Sequence, residues 1–134
     1  MFDELVVCVT ENREKSYLFT PQERAEQIRR CVSDMPHVTV DIAEGFLSQC
    51  ARQPSCSIIV RGLRSAADFD MEYPMAVYNY RLDPEAETIF LPAREEHLLL
   101  SSSAVRELAY FGADLRPYVP QEIIPDIVDR MNDK

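Results

Sequence analysis

The sequence predicts an α/β fold in which a parallel sheet is covered by helices. Strand-sized apolar runs alternate with helix-like segments along the whole chain. The run Ser57 to Val60 is β-branched and apolar, as expected of a strand buried on both faces of a parallel sheet. The chain has 134 residues and is 46% hydrophobic, which suffices for one core and is too short for two ordinary domains, so residues 1–134 are read as a single domain.

Taken in order, Leu5 to Val9 is the first strand candidate, followed by a polar loop that holds Lys15. Thr20-Pro21-Gln22-Glu23 reads as a capping box with proline at the first helical position, opening a helix that should run to about Asp34. Val38 to Ile42 is the second strand. Gly45 to Gln53 is expected to be a short helix with Phe46, Leu47 and Cys50 on one face. The third strand, Ser57 to Val60, puts Arg61 at its carboxyl edge. Ala66 to Leu82 is helical in content, but Pro74 should kink that helix or divide it. Thr88 to Leu91 is the fourth strand, Ser103 to Phe111 a helix ended by Gly112, and Ile123 to Met131 a final helix.

Composition narrows the partners. With 23 acidic against 14 basic residues the formal charge is −9, the opposite of what broad binding to nucleic acid or an anionic membrane requires. An anionic ligand must therefore meet local positive charge, which Lys15, Arg61 and Arg64 can supply, with Arg13 and Arg106 as further candidates. Cys8, Cys31, Cys50 and Cys56 lack C-x-x-C spacing and no histidine completes a zinc set, so reduced thiols and a cytoplasmic location are expected. The apolar stretches are strand-sized and no secretion signal is legible, so neither secretion nor a membrane span is expected.

Two motifs suggest phosphate chemistry. Arg61-Gly62-Leu63-Arg64 places two guanidinium groups and a glycine at the carboxyl end of a strand, where ligands bind in open α/β sheets. Leu100-Ser101-Ser102-Ser103 puts hydroxyls and free N–H groups at a helix start. Arg61 can fork two donors onto a phosphate, Gly62 lets a ligand approach the backbone, and Ser102 and Ser103 can donate to phosphate oxygens.

Phe19-Thr20-x-x-Glu23-Arg24, Ile59-Val60-Arg61-Gly62-Leu63-Arg64, Asp68-Phe69-x-x-Glu72 and Ser101-Ser102-Ser103 occur in the order and spacing of bacterial phosphopantetheine adenylyltransferases, which the chain resembles from end to end. The resemblance implies a Rossmann-like nucleotidyltransferase fold with helices on both faces of the sheet. It implies adenylyl transfer from ATP to 4′-phosphopantetheine, giving dephospho-coenzyme A and pyrophosphate, with Mg²⁺ assisting and no protein nucleophile. It further implies coenzyme A as a related ligand and a homohexamer, in which the apolar stretch Met71, Tyr73, Met75, Tyr78 and Tyr80 would serve a subunit interface. By position, Lys15, Leu47 and Arg61 resemble the residues that hold phosphopantetheine. Gly62, Leu63, Arg64 and Glu72, with His97, Leu98, Leu99, Leu100, Ser101, Ser102 and Ser103, resemble the ATP contacts. Charge stabilisation falls to Lys15, Arg61 and Arg64.

The likeness begins at the family's second strand. The family's first strand, its glycine-containing turn and the helix opened by T/H-x-G-H have no counterpart in these residues, and neither His37 nor His97 stands in a G-H context. Since that strand is central in the family, the sheet is expected to be divided, with exposed apolar edges. A start assigned too far downstream is favoured over a fragment or a remodelled relative, because Met1-Phe2-Asp3 resembles an internal stretch of relatives. His97 also replaces the family's frequent Trp or Tyr near the nucleotide.

Ordinary alternatives stand beside these roles. Leu47 fits a core position, Lys15 a solvated charge run, Glu72 an i,i+4 or subunit contact, His37 and His97 exposed imidazoles, and the methionines and tyrosines core packing. Two other function classes remain open at this level. A catalytically silent nucleotide or coenzyme A binder would keep Arg61 and Ser103 without turnover. A flavodoxin-like receiver would need aspartates at strand ends, where this chain has Thr10-Glu11-Asn12 and Arg61.

Overall fold

The computed structural model describes residues 2–12, 16–43, 45, 47 and 57–132. The chain forms β1 (Leu5–Val9), α1 (Pro21–Cys31), β2 (Val38–Ile42), β3 (Ile58–Leu63), α2 (Ala66–Leu82), β4 (Glu87–Pro92), α3 (Ser102–Tyr110) and α4 (Ile124–Asn132). Single turns of 3₁₀ helix at Glu95–His97 and Gln121–Ile123 precede α3 and α4.

Both strand pairings are parallel, and each pair is joined through a helix, making two βαβ units. β1 lies on β2 with Leu5 opposite Val38 and Val9 opposite Ile42. β3 lies on β4 with Ile58 opposite Glu87 and Leu63 opposite Pro92. Among the described residues these are two separate two-stranded sheets, the division that the resemblance implied. The reduced coverage shows in the strands. Ile59 is buried, whereas Ile58 and Val60 are 38% and 37% exposed, so β3 is covered on one face and not on both as the sequence suggested. Helix α2 supplies that cover, with Phe69 meeting Phe90 of β4 edge to face at 5.4 Å between ring centroids.

Local chemistry accounts for the helix starts. Thr20 caps α1 through Oγ1, which accepts from the Glu23 N–H, while Glu23 accepts from the Thr20 N–H at 2.8 Å, completing the capping box. The helix ends at Cys31, three residues before the sequence-based limit, because Val32 adopts a non-helical cap conformation. Ser65 caps α2 and Ser101 caps α3 in the same manner. Gly112, with φ at +69°, follows α3 where only a residue without Cβ turns without strain.

Pro74 neither divides nor ends α2, which runs unbroken for 17 residues. Asp70 and Pro74 are both exposed, so the carbonyl that loses its N–H partner four residues on can be met by water. The core lies at the other end of the chain. Val105 of α3, Leu115 and Ile127 of α4 are buried together, with Phe19, Leu100, Leu108 and Ile123 packed around them. Arg30 on α1 pairs with Asp126 on α4, and Gln27 donates to the same carboxylate at 3.0 Å. Arg130 pairs with Glu23, donates to the Leu18 carbonyl at 2.9 Å and lies over the Phe19 ring, tying the final helix to the capping box.

The expectation of reduced thiols is corrected at Cys8, which is disulfide-bonded. Cys31 is a free thiol, and burial raises its pKa, which keeps it protonated.

Candidate functional site

Register decides where the arginines stand. β3 extends three residues beyond the expected end, so Arg61 is paired opposite Phe90 and Gly62 opposite Leu91, inside the strand and not at its edge. The turn into α2 begins at Arg64. Strand alternation puts Arg61 on the same face as buried Ile59, the face that α2 covers. There its Nε and Nη2 each donate at 2.6 Å to a different oxygen of Glu72. Glu72, expected among the ATP contacts, here occupies the fork of Arg61.

Arg64 is held in a similar way one helical turn earlier. Its Nε donates to Oδ2 of Asp68 at 3.0 Å and its Nη2 to Oδ1 at 3.3 Å, while its backbone N–H also donates to Oδ2 at 3.0 Å. The Asp68 carboxylate raises the Arg64 pKa further above its ordinary value, so the guanidinium stays charged. The remaining nitrogen, Nη1, crosses to the segment before α3 and donates to the Leu100 carbonyl at 2.7 Å. One side chain thus links the Arg61–Arg64 segment to the serine motif.

At that motif Ser101 is the cap, its Oγ accepting from the Ala104 N–H at 3.1 Å, and Ser103 Oγ accepts from Arg106 Nη2 at 3.4 Å. Ser102 and Ser103 are exposed at the first turn, where backbone N–H groups have no helical acceptor. Leu100 packs on the core, whereas Leu98 is 42% and Leu99 91% exposed. His97 ends a 3₁₀ turn with an exposed ring, 3.5 Å from the Glu96 carboxylate. His37 is likewise exposed and contributes its carbonyl to the Leu5 N–H. A Cβ added at Gly62 would meet nothing within 4 Å, so the strand end is open to a ligand there. Leu63 and Leu47 are half-buried. Lys15 and most of the expected 45–53 helix lie outside the described residues.

Two features escaped the sequence reading. Asp68 was visible only as part of a motif, although its i,i+4 spacing to Glu72 behind two arginines was the signal available. The second is a cavity of about 480 Å³ beside the start of α3, lined by Tyr17, Phe19, Arg24, Ser101, Ser102 and Tyr118 among others. Arg24 stacks under the Tyr17 ring at 4.1 Å and donates from Nη1 to the Thr10 carbonyl at 3.1 Å. Its Nε and Nη2 are buried and have no hydrogen-bond partner among the described residues.

No three His, Cys, Asp or Glu side chains converge to hold a metal among the described residues. The arrangement suits anions. It offers two guanidinium forks whose present partners are carboxylates, an open glycine and a helix start with hydroxyls.

A cytidylyltransferase-like family model matches residues 1–108. The chain is 41% identical over 134 residues to the phosphopantetheine adenylyltransferase of Finegoldia magna, covering 100% of this chain and 83% of that protein. It is 48% identical over 119 residues to the enzyme of the same name from Symbiobacterium thermophilum, covering 89% and 74%. With the Clostridium kluyveri enzyme of that name the identity is 40% over 132 residues, 98% and 80% of the two chains.

Proposed function

The chain belongs to the phosphopantetheine adenylyltransferase family of cytidylyltransferase-like proteins, and on that premise we propose how its residues serve adenylyl transfer from ATP to 4′-phosphopantetheine in coenzyme A synthesis. In that reaction an oxygen of the acceptor phosphate forms a bond to the α-phosphorus of ATP. The bond from the α-phosphorus to the bridging oxygen breaks, and pyrophosphate leaves with the electron pair. The protein's work is to hold two polyanions in line and to offset the charge growing on the leaving group.

The observation that carries the assignment of residues is the Arg64 to Leu100 hydrogen bond, which joins the two anion-binding segments at 2.7 Å. Arg64, Gly62 and the Ser101–Ser103 helix start hold the ATP phosphates, and Arg61, with Lys15 and Leu47, holds phosphopantetheine. The Glu72 carboxylate now on Arg61 is replaced by phosphate, which carries more charge and more acceptor oxygens, while Asp68 stays on Arg64 and orients it toward the ATP phosphates. Mg²⁺ would enter with ATP as the counterion of its phosphates.

Assembly is assigned to α2. Met71, Tyr73, Met75, Tyr78 and Tyr80 are each 45% exposed or more, with Met71, Met75 and Tyr78 on one face of the helix, an apolar face left open to water. This supports a homo-oligomer, six-membered by family resemblance. No described helix is long and apolar enough to cross a membrane, and a cytoplasmic site of action fits the proposed substrates.

The deciding experiment is release of pyrophosphate by the purified 134-residue chain supplied with ATP, Mg²⁺ and 4′-phosphopantetheine, with Arg61→Ala as the contamination control. Release that disappears in the variant supports the assignment. Release that persists in it removes Arg61 from the site.

A further inference from the structure

Asp68, in the first turn of α2, ties the two anion-binding segments together through Arg64. Its carboxylate receives three donors from Arg64: the backbone N–H, Nε and Nη2. That leaves Nη1 as the end of the guanidinium directed to Leu100. Both ends of this strut are anchored. Asp68 sits in the first turn of α2, where its own N–H donates to the Ser65 cap at 3.2 Å. Leu100 packs against the core, and the next residue, Ser101, caps α3.

We propose that Asp68 is a positioning residue for the nucleotide: by fixing the rotamer of Arg64 it sets the spacing between the β3–α2 turn and the start of α3, and with it the affinity for the phosphates of ATP. A free arginine side chain carries large rotamer entropy, and one hydrogen bond to a carbonyl offsets only part of the cost of ordering it. Side-on capture by a carboxylate removes most of that freedom before a ligand arrives. The inference rests on the reading that Arg64 and Ser101–Ser103 hold ATP. Its competitor is a purely structural Asp68, an acidic residue at a helix N-terminus that stabilises α2 and does nothing for the ligand.

Calorimetric titration of the 134-residue chain with ATP and, separately, 4′-phosphopantetheine distinguishes them. Asp68→Asn should weaken ATP binding about three- to tenfold, the effect of losing part of a charge-assisted network, and leave the phosphopantetheine Kd within about twofold. Because Asp68 acts through Arg64, the double variant Asp68→Asn with Arg64→Ala should bind ATP no more weakly than Arg64→Ala alone. Ser65→Ala, which removes the α2 cap without touching Arg64, should lower the Tm and leave the ATP Kd unchanged. Asp68→Glu supplies the same readout should the asparagine variant fail to fold, since the longer arm keeps the charge and misplaces the guanidinium.

ATP affinity unchanged in Asp68→Asn or Asp68→Glu, effects that add in the double variant, or an equal loss in Ser65→Ala would each overturn the inference. Wild-type ATP affinity in Arg64→Ala would instead remove the underlying nucleotide site. A loss in Arg64→Ala with none in either Asp68 variant would remove the positioning role alone.

Discussion

Arg61 and Glu72 form a side-on ion pair in which Nε and Nη2 each reach a separate carboxylate oxygen at 2.6 Å, joining the middle of β3 to the face of α2. The pair is half-exposed, with the arginine side chain 41% and the glutamate 25% accessible. It therefore adds little to stability, on the order of 1 kcal/mol or less. Its consequence is competition: the edge of the guanidinium that a phosphate would engage is already engaged.

Removing the competing charge should favour the ligand. Glu72→Gln is expected to tighten 4′-phosphopantetheine binding by up to about fivefold, the equivalent of an exposed ion pair of up to about 1 kcal/mol. Titration calorimetry at neutral pH reads this directly, and unchanged or weaker binding would show that Glu72 aims Arg61 and does not compete for it.

Arg61→Ala and Arg64→Ala should each cost about 1.5 to 3 kcal/mol of ligand binding, the usual range for a hydrogen bond to a charged group. The losses should differ in kind. Arg61→Ala should act on phosphopantetheine and Arg64→Ala on ATP, because only Arg64 reaches the helix-start motif. Equal effects on both ligands in both variants would rule out two separate subsites.

Acid should loosen the packing of α1 against α4. The Arg30 hydrogen bond holds the Asp126 pKa below its ordinary 3.8, and Arg130, followed by the Thr20 backbone N–H, holds Glu23 below 4.5. A carboxylate whose folded pKa is depressed contributes stability that is fully present above its unfolded pKa and is lost as pH falls through the folded value. The Tm should therefore be flat near neutrality and fall progressively once the pH drops below about 4.5. Asp126→Asn should have a lower Tm at pH 7 and a shallower acid slope. A slope identical to wild type would exclude the Arg30–Asp126 pair as a contributor. Asp114, drawn down to about 2 by Arg116, belongs to an exposed local pair, and Asp114→Asn should change the profile least.

The apolar side of α2 should govern assembly. Tyr78→Glu and Met71→Glu each place a charge where the side chain is 54% and 68% exposed, so the isolated chain should tolerate them. Light scattering coupled to size exclusion should then report a smaller species than wild type with an unchanged helical signal. An unaltered mass would mean that this face is not the interface.

Much of the fold was legible because the signals were local. β1 and β2 occupy the predicted residues, since a β-branched run bounded by polar residues needs no distant partner to be recognised. The capping box at Thr20 and Glu23 and the glycine stop at Gly112 are likewise written in a few neighbouring positions. The candidate site was legible as a set of residue types: arginines, a glycine and serines whose order points to anions.

What the sequence by itself determined, then, was the parallel α/β class, the helix starts and the identity of the charged groups. Tertiary structure decided their partners. Pairing with Phe90 and Leu91 drew Arg61 and Gly62 into β3, because a parallel ladder continues as long as its neighbour offers hydrogen bonds, whatever the side chains favour. The covered face of that strand then delivered Arg61 to Glu72. Pro74 remained inside α2 because packing on β3 and β4 outweighs one missing hydrogen bond on a solvent-facing turn. The link from Arg64 to Leu100, across 36 residues, arises only when the turn before α2 is brought to the segment before α3, and no spacing along the chain encodes that distance.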